Sequence, residues 1–264
     1  MLIAVNIGNS VISVGFFDDT ECSLISSFKL STDIKKTSDE YLASIEEICS
    51  VKKIDLKNIS GAIISSVVPQ LTEKIKNTLT ELCGFEPTVV GPGVKTGFRI
   101  KIDNPSELGG DMVANAAAAI SKGGAAGRFT VIADLGAVNT VSAINEKGEY
   151  VGCSIFPGIS MSLEALHGNT AQLPNVNASS TSKAIGKNSQ SSICSGVFLG
   201  SAFALDGFIR AFALEMRCKA EQLRLISTGE FAKTVTKSSE YKFEYDGELT
   251  LKGLYCIYKN NIKE

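Results

Sequence analysis

Apolar and polar positions alternate from the first residues, and the pattern predicts three strands at 2–6, 11–17 and 22–30. Tight turns at Gly8-Asn9 and Asp18-Asp19 join them. Tyr41, Leu42, Ile45 and Ile48 then recur at helical spacing, which predicts a helix over 39–52 with Ser38 as its N-cap. The apolar run 61–68 is a further strand, Pro69 opens a helix that reaches Cys83, and 87–90 is a short strand. Gly91-Pro92-Gly93-Val94-Lys95-Thr96-Gly97 forms a glycine-rich loop. A helix begins at Ser106 or Leu108 and ends near Ser121, its alanine-rich end marking close packing. Gly123-Gly124-Ala125-Ala126-Gly127 cannot hold a helix and is the predicted linker.

The second half repeats the plan. Strands are predicted at 129–134, 139–145 and 149–155, with Glu146-Lys147-Gly148 as a hairpin turn. Phe156-Pro157-Gly158 starts a polar, helix-containing segment to about Pro174. The Asn/Ser/Thr-rich stretch 175–192 reads as surface loop with a short helix. A long helix at 193–217, a strand at 223–227, the turn Ser227-Thr228-Gly229-Glu230 and a last helix near 249–260 complete the chain. The repetition is closest where 3–15 (Ile-Ala-Val-Asn-Ile-Gly-Asn-Ser-Val-Ile-Ser-Val-Gly) meets its echo at 131–144 (Val-Ile-Ala-Asp-Leu-Gly-Ala-Val-Asn-Thr-Val-Ser-Ala-Ile). Each copy is an apolar strand ending in Asn or Asp, a glycine turn with small polar residues, and an alternating strand. The expectation is a duplicated, actin-like (ribonuclease H-like) α/β fold of two lobes, 1–124 and 125–264, facing a central ligand cleft. Actin-like ATP-dependent phosphotransferases hold a nucleotide in such an arrangement.

Composition narrows the classes. At 264 residues, 44% hydrophobic and 20% charged, the chain can bury a large core and is neither disordered nor fibrous. A net charge of -2 and a pI of about 5.7 argue against nucleic acid or an anionic membrane as partner. Seven scattered cysteines without Cys-x-x-Cys predict reduced, mostly buried thiols in a cytoplasmic protein, not a disulfide framework or zinc site. The apolar N-terminus lacks a basic leader and reads as a first strand, not a signal peptide. The apolar stretch 196–214 is interrupted by Asp206 and Arg210 and reads as a buried helix, not a membrane span.

Four places carry candidate chemistry. The turn Asn6-Ile7-Gly8-Asn9-Ser10 suits phosphate, because glycine admits close approach and amides and a hydroxyl donate to anionic oxygens; equally, Asn-Gly turns join ordinary hairpins. Asp134 ends the matching strand, where a carboxylate suits a cation or a water beside Mg²⁺-bound ATP, or caps the hairpin. Asp111, after Gly109-Gly110, is placed to accept a proton from a substrate hydroxyl, or to offset a helix dipole. His167, the single histidine, has no partner pattern and reads as structural or surface, which disfavours Ser-His-Asp chemistry.

Together these pieces resemble the type III pantothenate kinases, bacterial members of the actin/sugar-kinase superfamily, along essentially the whole chain. The family's Asp-x-Gly-Asn-Thr is matched by Asn6-Ile7-Gly8-Asn9-Ser10, followed by Ser66-Val67-Val68-Pro69, the loop 91–97 and Asp103-Asn104-Pro105. Its Gly-x-Asp-Arg is matched by Gly109-Gly110-Asp111-Met112 with Asn115 beyond, and its Asp-x-Gly-Thr-Ala-x-Thr by Asp134-Leu135-Gly136-Ala137-Val138-Asn139-Thr140. Phe156-Pro157-Gly158, Thr170-Ala171-Gln172-Leu173-Pro174, Thr228-Gly229 and the tail Leu249-Thr250-Leu251-Lys252-Gly253-Leu254 follow in family order. The resemblance implies ATP-dependent phosphorylation of pantothenate, the first step of coenzyme A biosynthesis, by a homodimer with its substrate site at the subunit interface. It implies ATP binding by Asn6, Ile7, Gly8, Asn9, Ser10, Val11, Ile12, Ser13 and Ala137, and pantothenate binding by Ile102, Gly109, Gly110, Asp111, Met112 and Thr170. Asp111 is the implied base, and Asp134 the implied ligand of a monovalent cation (K⁺ or NH₄⁺), with Mg²⁺ accompanying ATP.

The departures fall on ligand-facing positions. Asn6 replaces the family's Asp and loses a charge worth ~1–4 kcal/mol toward a nearby cation at effective dielectrics of roughly 80 to 20. Met112 replaces an Arg whose planar fork binds anionic oxygen. Ile102 replaces Tyr, Ala137 replaces a hydroxyl residue, and Glu230 replaces the second Gly of a Thr-Gly-Gly turn. Three functions are compatible with this pattern: a slow pantothenate kinase, a non-catalytic paralogue acting as a ligand sensor or regulatory partner, or a kinase for another hydroxylated acceptor.

Overall fold

The computed structural model describes residues 1–19, 23–121, 127–178 and 183–262. The chain forms two compact units: Met1–Gly97 with Asn104–Ala118 and Leu249–Glu264, and Phe98–Asp103 with Ala119–Glu248. The linear division at 124/125 is thus interleaved, because the last helix packs into the first unit and 98–103 into the second. Apart from Gly127, the predicted glycine linker lies outside the described residues.

The first unit is built on a five-stranded sheet of β1 (Leu2–Ile7), β2 (Val11–Phe17), β3 (Leu24–Ser31), β4 (Gly61–Ser66) and β5 (Thr88–Val89), in the order β3-β2-β1-β4-β5. β1 runs antiparallel to β2 and parallel to β4. Successive side chains on a strand point to opposite faces. One face, with Ile3, Val5, Ile7, Val14 and Phe16, forms a core with Tyr41, Ile45 and Cys49 of α1 (Ser38–Lys52) and Leu71, Ile75 and Leu79 of α2 (Pro69–Cys83). The second unit repeats the topology with β6 (Thr130–Leu135), β7 (Val138–Ile144), β8 (Tyr150–Pro157), β9 (Arg224–Thr228) and β10 (Glu244–Tyr245), in the order β10-β9-β6-β7-β8. The burial sequence along β1 recurs in β6, and that of β2 in β7, position for position. The duplication legible in the sequence is therefore a duplication of buried and exposed positions.

Helix ends differ in instructive ways from the sequence expectations. The N-cap of α1 is Thr37, not Ser38: Thr37 Oγ1 accepts from the Glu40 amide at 3.2 Å, and Glu40 Oε2 accepts from the Thr37 amide at 2.7 Å. That reciprocal pair needs a carboxylate three residues after the cap, which only Thr37 has. α3 (Gly110–Ser121) starts later than predicted, after a 3₁₀ turn at Pro105–Glu107 capped by Asn104. The long helix begins earlier, as α5 (Ser189–Cys194), passes through a π turn at Ser195–Leu199 and continues as α6 (Gly200–Glu215). By length and composition 189–215 is long and apolar enough to cross a membrane, yet half of its most apolar window is buried within the protein. α4 (Ile159–Gly168), the short α7 (Ala232–Thr236) and α8 (Leu249–Ile262) complete the helices used below; α7 and β10 are too short to give a periodic signal.

The six described cysteines form no disulfide, and only Cys49 and Cys194 are buried; Cys83, Cys218 and Cys256 are half-buried and Cys153 is exposed on β8. Burial pushes the Cys49 and Cys83 thiols up to about 11, so both are protonated and unreactive at mildly alkaline pH. With a thiol reagent under native conditions, peptide mapping is expected to find Cys153 modified first among the six described cysteines and Cys49 only after unfolding; early labelling of Cys49 would contradict this packing.

Candidate active site

The polar residue next to last in the first strand of each unit sits in a row of three. Asn6 on β1 is paired in register with Ser13 on β2 and Ser65 on β4. Asp134 on β6 is paired with Thr140 on β7 and Thr228 on β9. In-register neighbours share a face of the sheet, so each unit presents hydroxyl, carbonyl-bearing and hydroxyl side chains side by side. In the first unit Asn6 Oδ1 and Ser65 Oγ are buried without a hydrogen-bond partner. Buried acceptors of this kind are normally satisfied by water or ligand.

The turn after β1 is closed by the Gly8 amide donating to Val11 O at 3.0 Å, and Thr32 braces it by donating its hydroxyl to Gly8 O at 2.7 Å. The Gly8 amide is thus engaged internally, which leaves Asn9 and Ser10, both exposed, at the tip; Ile7 and Ile12 are buried on either side, and Val11 and Ser13 are half-buried.

Asp111 stands in the first turn of α3, half-buried, with its Oδ1 accepting the Met112 amide at 2.7 Å. Loss of solvation raises its pKa above the usual aspartate value, and that amide only partly offsets the effect. A carboxylate that holds its proton more tightly is a stronger base once ionised. The two preceding glycines are closely packed by side chains: a Cβ at Gly110 would lie 2.7 Å from Ser65 Oγ, and one at Gly109 2.7 Å from Asp111 Oδ1. Met112 is 7% exposed and fills apolar space.

In the second unit, Asp134 lies against the turn at Gly229, whose φ of +97° and tight surroundings exclude a side chain; its Cβ would be 2.7 Å from Asp134 Oδ1 and 2.6 Å from Leu135 O. Ala137 is half-buried and its carbonyl accepts the Gly158 amide at 3.0 Å. Glu230 is exposed. Ile102 is half-buried beside the Lys101 amide, which donates to Tyr150 O at 2.8 Å. Thr170 is exposed, and its hydroxyl donates to Leu166 O at 2.6 Å, closing the end of α4. His167, also exposed, bonds Leu173 O through Nδ1 at 3.0 Å, a structural contact as expected. An apolar cavity of about 870 Å³, with Phe156, Pro157, Leu166, Leu173, Ile193 and Val197 in its walls, lies beside this segment. The candidate residues thus divide between the units, with Asn6–Ser13 and Gly109–Met112 in the first and Ile102, Asp134, Ala137 and Thr170 in the second. Sequence reasoning missed Ser65; its only signal was its place one residue before Ser66-Val67-Val68-Pro69.

The donor sets distinguish the two implied ions. Around Asp134 its carboxylate lies against Gly229, while the Leu135 carbonyl there accepts the Phe231 amide at 2.9 Å; the carboxylate is the oxygen donor that suits a cation. Around Asn6 the side chains are neutral, and no group of three His, Cys, Asp or Glu occurs among the described residues. That set does not fit a Mg²⁺ held by protein carboxylates.

Two sheets of one topology, each with a polar row near the end of its first strand, define an actin-like α/β fold. The fold is shared with a Campylobacter jejuni protein assigned to the Baf family of transcriptional activators (TM-score 0.59, 18% identity, 98% of each chain). It is shared too with the activator of 2-hydroxyisocaproyl-CoA dehydratase from Clostridium difficile (TM-score 0.52, 9% identity, 100% of this chain and 98% of that one). The profile of the type III pantothenate kinases matches residues 2–211. A type III pantothenate kinase of Geotalea daltonii is 37% identical over 261 residues, 99% of either chain. The chain belongs to the type III pantothenate kinase family, ATP-dependent kinases that phosphorylate pantothenate on the way to coenzyme A.

The raised pKa of Asp111 has a consequence for stability that can be measured apart from catalysis. A carboxyl group whose pKa rises on folding favours the folded state below its unfolded pKa and loses that contribution as pH rises through the folded value. Asp111→Asn is therefore expected to raise the melting temperature near neutral pH, with the gain shrinking below the ordinary aspartate range. A variant less stable than the parent at neutral pH would show that the carboxylate is not under a desolvation penalty.

Proposed function

We propose that Asp111 is the general base of this pantothenate kinase. The observation that carries the reading is a desolvated carboxylate of raised pKa at the start of α3, in the family's Gly-x-Asp position. Asp111 takes the proton of the pantothenate hydroxyl as that oxygen bonds to the γ-phosphorus of ATP. The bond from phosphorus to the β,γ-bridging oxygen breaks, and ADP leaves. The 6–13 hairpin, with Asn9 and Ser10 at its tip, receives the phosphates, and Ala137 lies on the nucleotide side. Gly109, Gly110, Met112, Ile102 and Thr170 belong to the acceptor side. Asp134 holds the monovalent cation, K⁺ or NH₄⁺, which when bound offsets negative charge on the substrates.

Mg²⁺ enters this reading only as the counter-ion that ATP brings, because Asn6 supplies no charge to hold it. That neutral row supports a slow enzyme with weak ATP affinity. The working unit is a cytoplasmic homodimer, expected to scatter light as twice 28.0 kDa; a clean monomer at micromolar concentration would remove the dimer from the reading. The same unpartnered, uncharged Asn6–Ser65 pair favours a second reading, a binding-only paralogue.

A coupled assay of ADP release with and without pantothenate separates the two. A kinase gives pantothenate-dependent ADP, and Asp111→Asn lowers it by ~10²–10⁴-fold, the typical contribution of a general base. If lost charge explains slow turnover, Asn6→Asp with Met112→Arg raises the rate, and the effects need not be additive. A folded double variant as inactive as the parent favours a different hydroxylated acceptor or the binding-only reading.

A further inference from the structure

The tail motif Leu249–Leu254 has no part in the chemistry above, yet it is among the most buried segments of the first unit. In α8, Leu249, Leu251, Leu254 and Ile257 are at most 1% exposed. The helix is seated on the sheet at two strand glycines: Leu251 Cδ1 is 2.9 Å from where a side chain at Gly15 would begin, and the Tyr258 ring fills the space over Gly61. Gly15 and Gly61 lie on the same sheet face as Asn6, Ser13 and Ser65, since they are even-numbered steps along β2 and β4 from Ser13 and Ser65.

On its other flank α8 meets α3. Gly253 packs so closely on the main chain of Ala114 that any side chain there would collide with the Ala114 carbonyl. One turn earlier, Thr250 Oγ1 donates to Asn115 Oδ1 at 2.8 Å, and Asn115 is only 3% exposed. Asn115 is four residues after Asp111 and therefore lies beneath it on the same helix face. A backbone contact without a side-chain spacer fixes the separation of two helices, and a buried hydrogen bond fixes their relative slide. Ser65 under Gly110 supplies a third fixed point, directly from β4.

We propose that Gly253 and Thr250 of α8 are positioning residues for Asp111, tying the first turn of α3 to the sheet that carries Asn6. Within the first unit this clamp sets where the base stands relative to the 6–13 hairpin. The inference rests on Asp111 as base, and its test includes a readout that does not.

Gly253→Ala, Thr250→Val, Thr250→Ser and Asp111→Asn are compared in steady-state kinetics and by amide hydrogen exchange of 110–118 and of β1. Because a displacement of ~1 Å can cost about 10²-fold in rate, Gly253→Ala is expected to lower kcat on the order of 10–100-fold with KM for ATP unchanged. Thr250→Val lowers kcat less, and Thr250→Ser restores it. Exchange rises in 110–118 in both Gly253→Ala and Thr250→Val while β1 stays protected. If Gly253→Ala does not fold, the Thr250→Val and Thr250→Ser pair decides. Parent-like kcat and parent-like exchange in the folded variants, with Asp111→Asn inactive, would overturn the clamp. An Asp111→Asn protein as active as the parent would instead remove the base assignment, and the exchange data alone would then uphold or reject the clamp.

Discussion

The structure is organised around one costly condition, a carboxylate kept partly out of water at the start of a helix. Desolvation disfavours the charged form of Asp111, and the Met112 amide recovers only part of the loss. A side chain under that penalty escapes to solvent unless packing prevents it. The packing is visible on all sides: Ser65 lies beneath Gly110, Met112 is buried in the same turn, and Ala114 and Asn115 are locked against α8. The sheet in turn is held from its opposite face by α1 and α2. The surroundings of Asp111 thus draw on elements at both ends of the chain, since α8 belongs to the unit that begins at Met1.

Duplication supplies the scaffold, and divergence the chemistry. The two sheets agree in order, register and burial, while the residue next to last in the first strand is an amide in one and a carboxylate in the other. Both are flanked by hydroxyl side chains. Replacing Asp by Asn at such a place keeps shape and removes charge, so the strand is undisturbed. On the reading proposed above, the substitution bears on ligand affinity and rate, not on whether the protein folds.

Much of this was legible in the sequence because it rests on short-range pattern. Alternation gave the strands, the echo of 3–15 at 131–144 gave the duplication, and Gly109-Gly110-Asp111 marked the first turn of a helix. What was not legible depended on contacts distant in sequence. The roles of Gly253 and Thr250 appear only when α8 lies against α3, and Ser65 carries no local signal. Thr37 took the cap from Ser38 because a capping box needs Glu40 at the third position, a rule the sequence offered and propensity alone did not apply. The glycine pair before Asp111 also packs closely against Ser65 and the carboxylate of Asp111 itself, contacts that carry no local signal.

The central claim is that the fold holds Asp111 as a desolvated carboxylate whose pKa is raised. A titration of the protein labelled with ¹³C at aspartate carboxyl carbons, with Asp111→Asn used to assign the resonance, measures this directly. The account predicts an apparent pKa for Asp111 above the ordinary aspartate value of about 3.9. A value at or below it would mean that the carboxylate is solvated or charge-stabilised, and that the packing of α3 against Ser65 and α8 does not prepare a base.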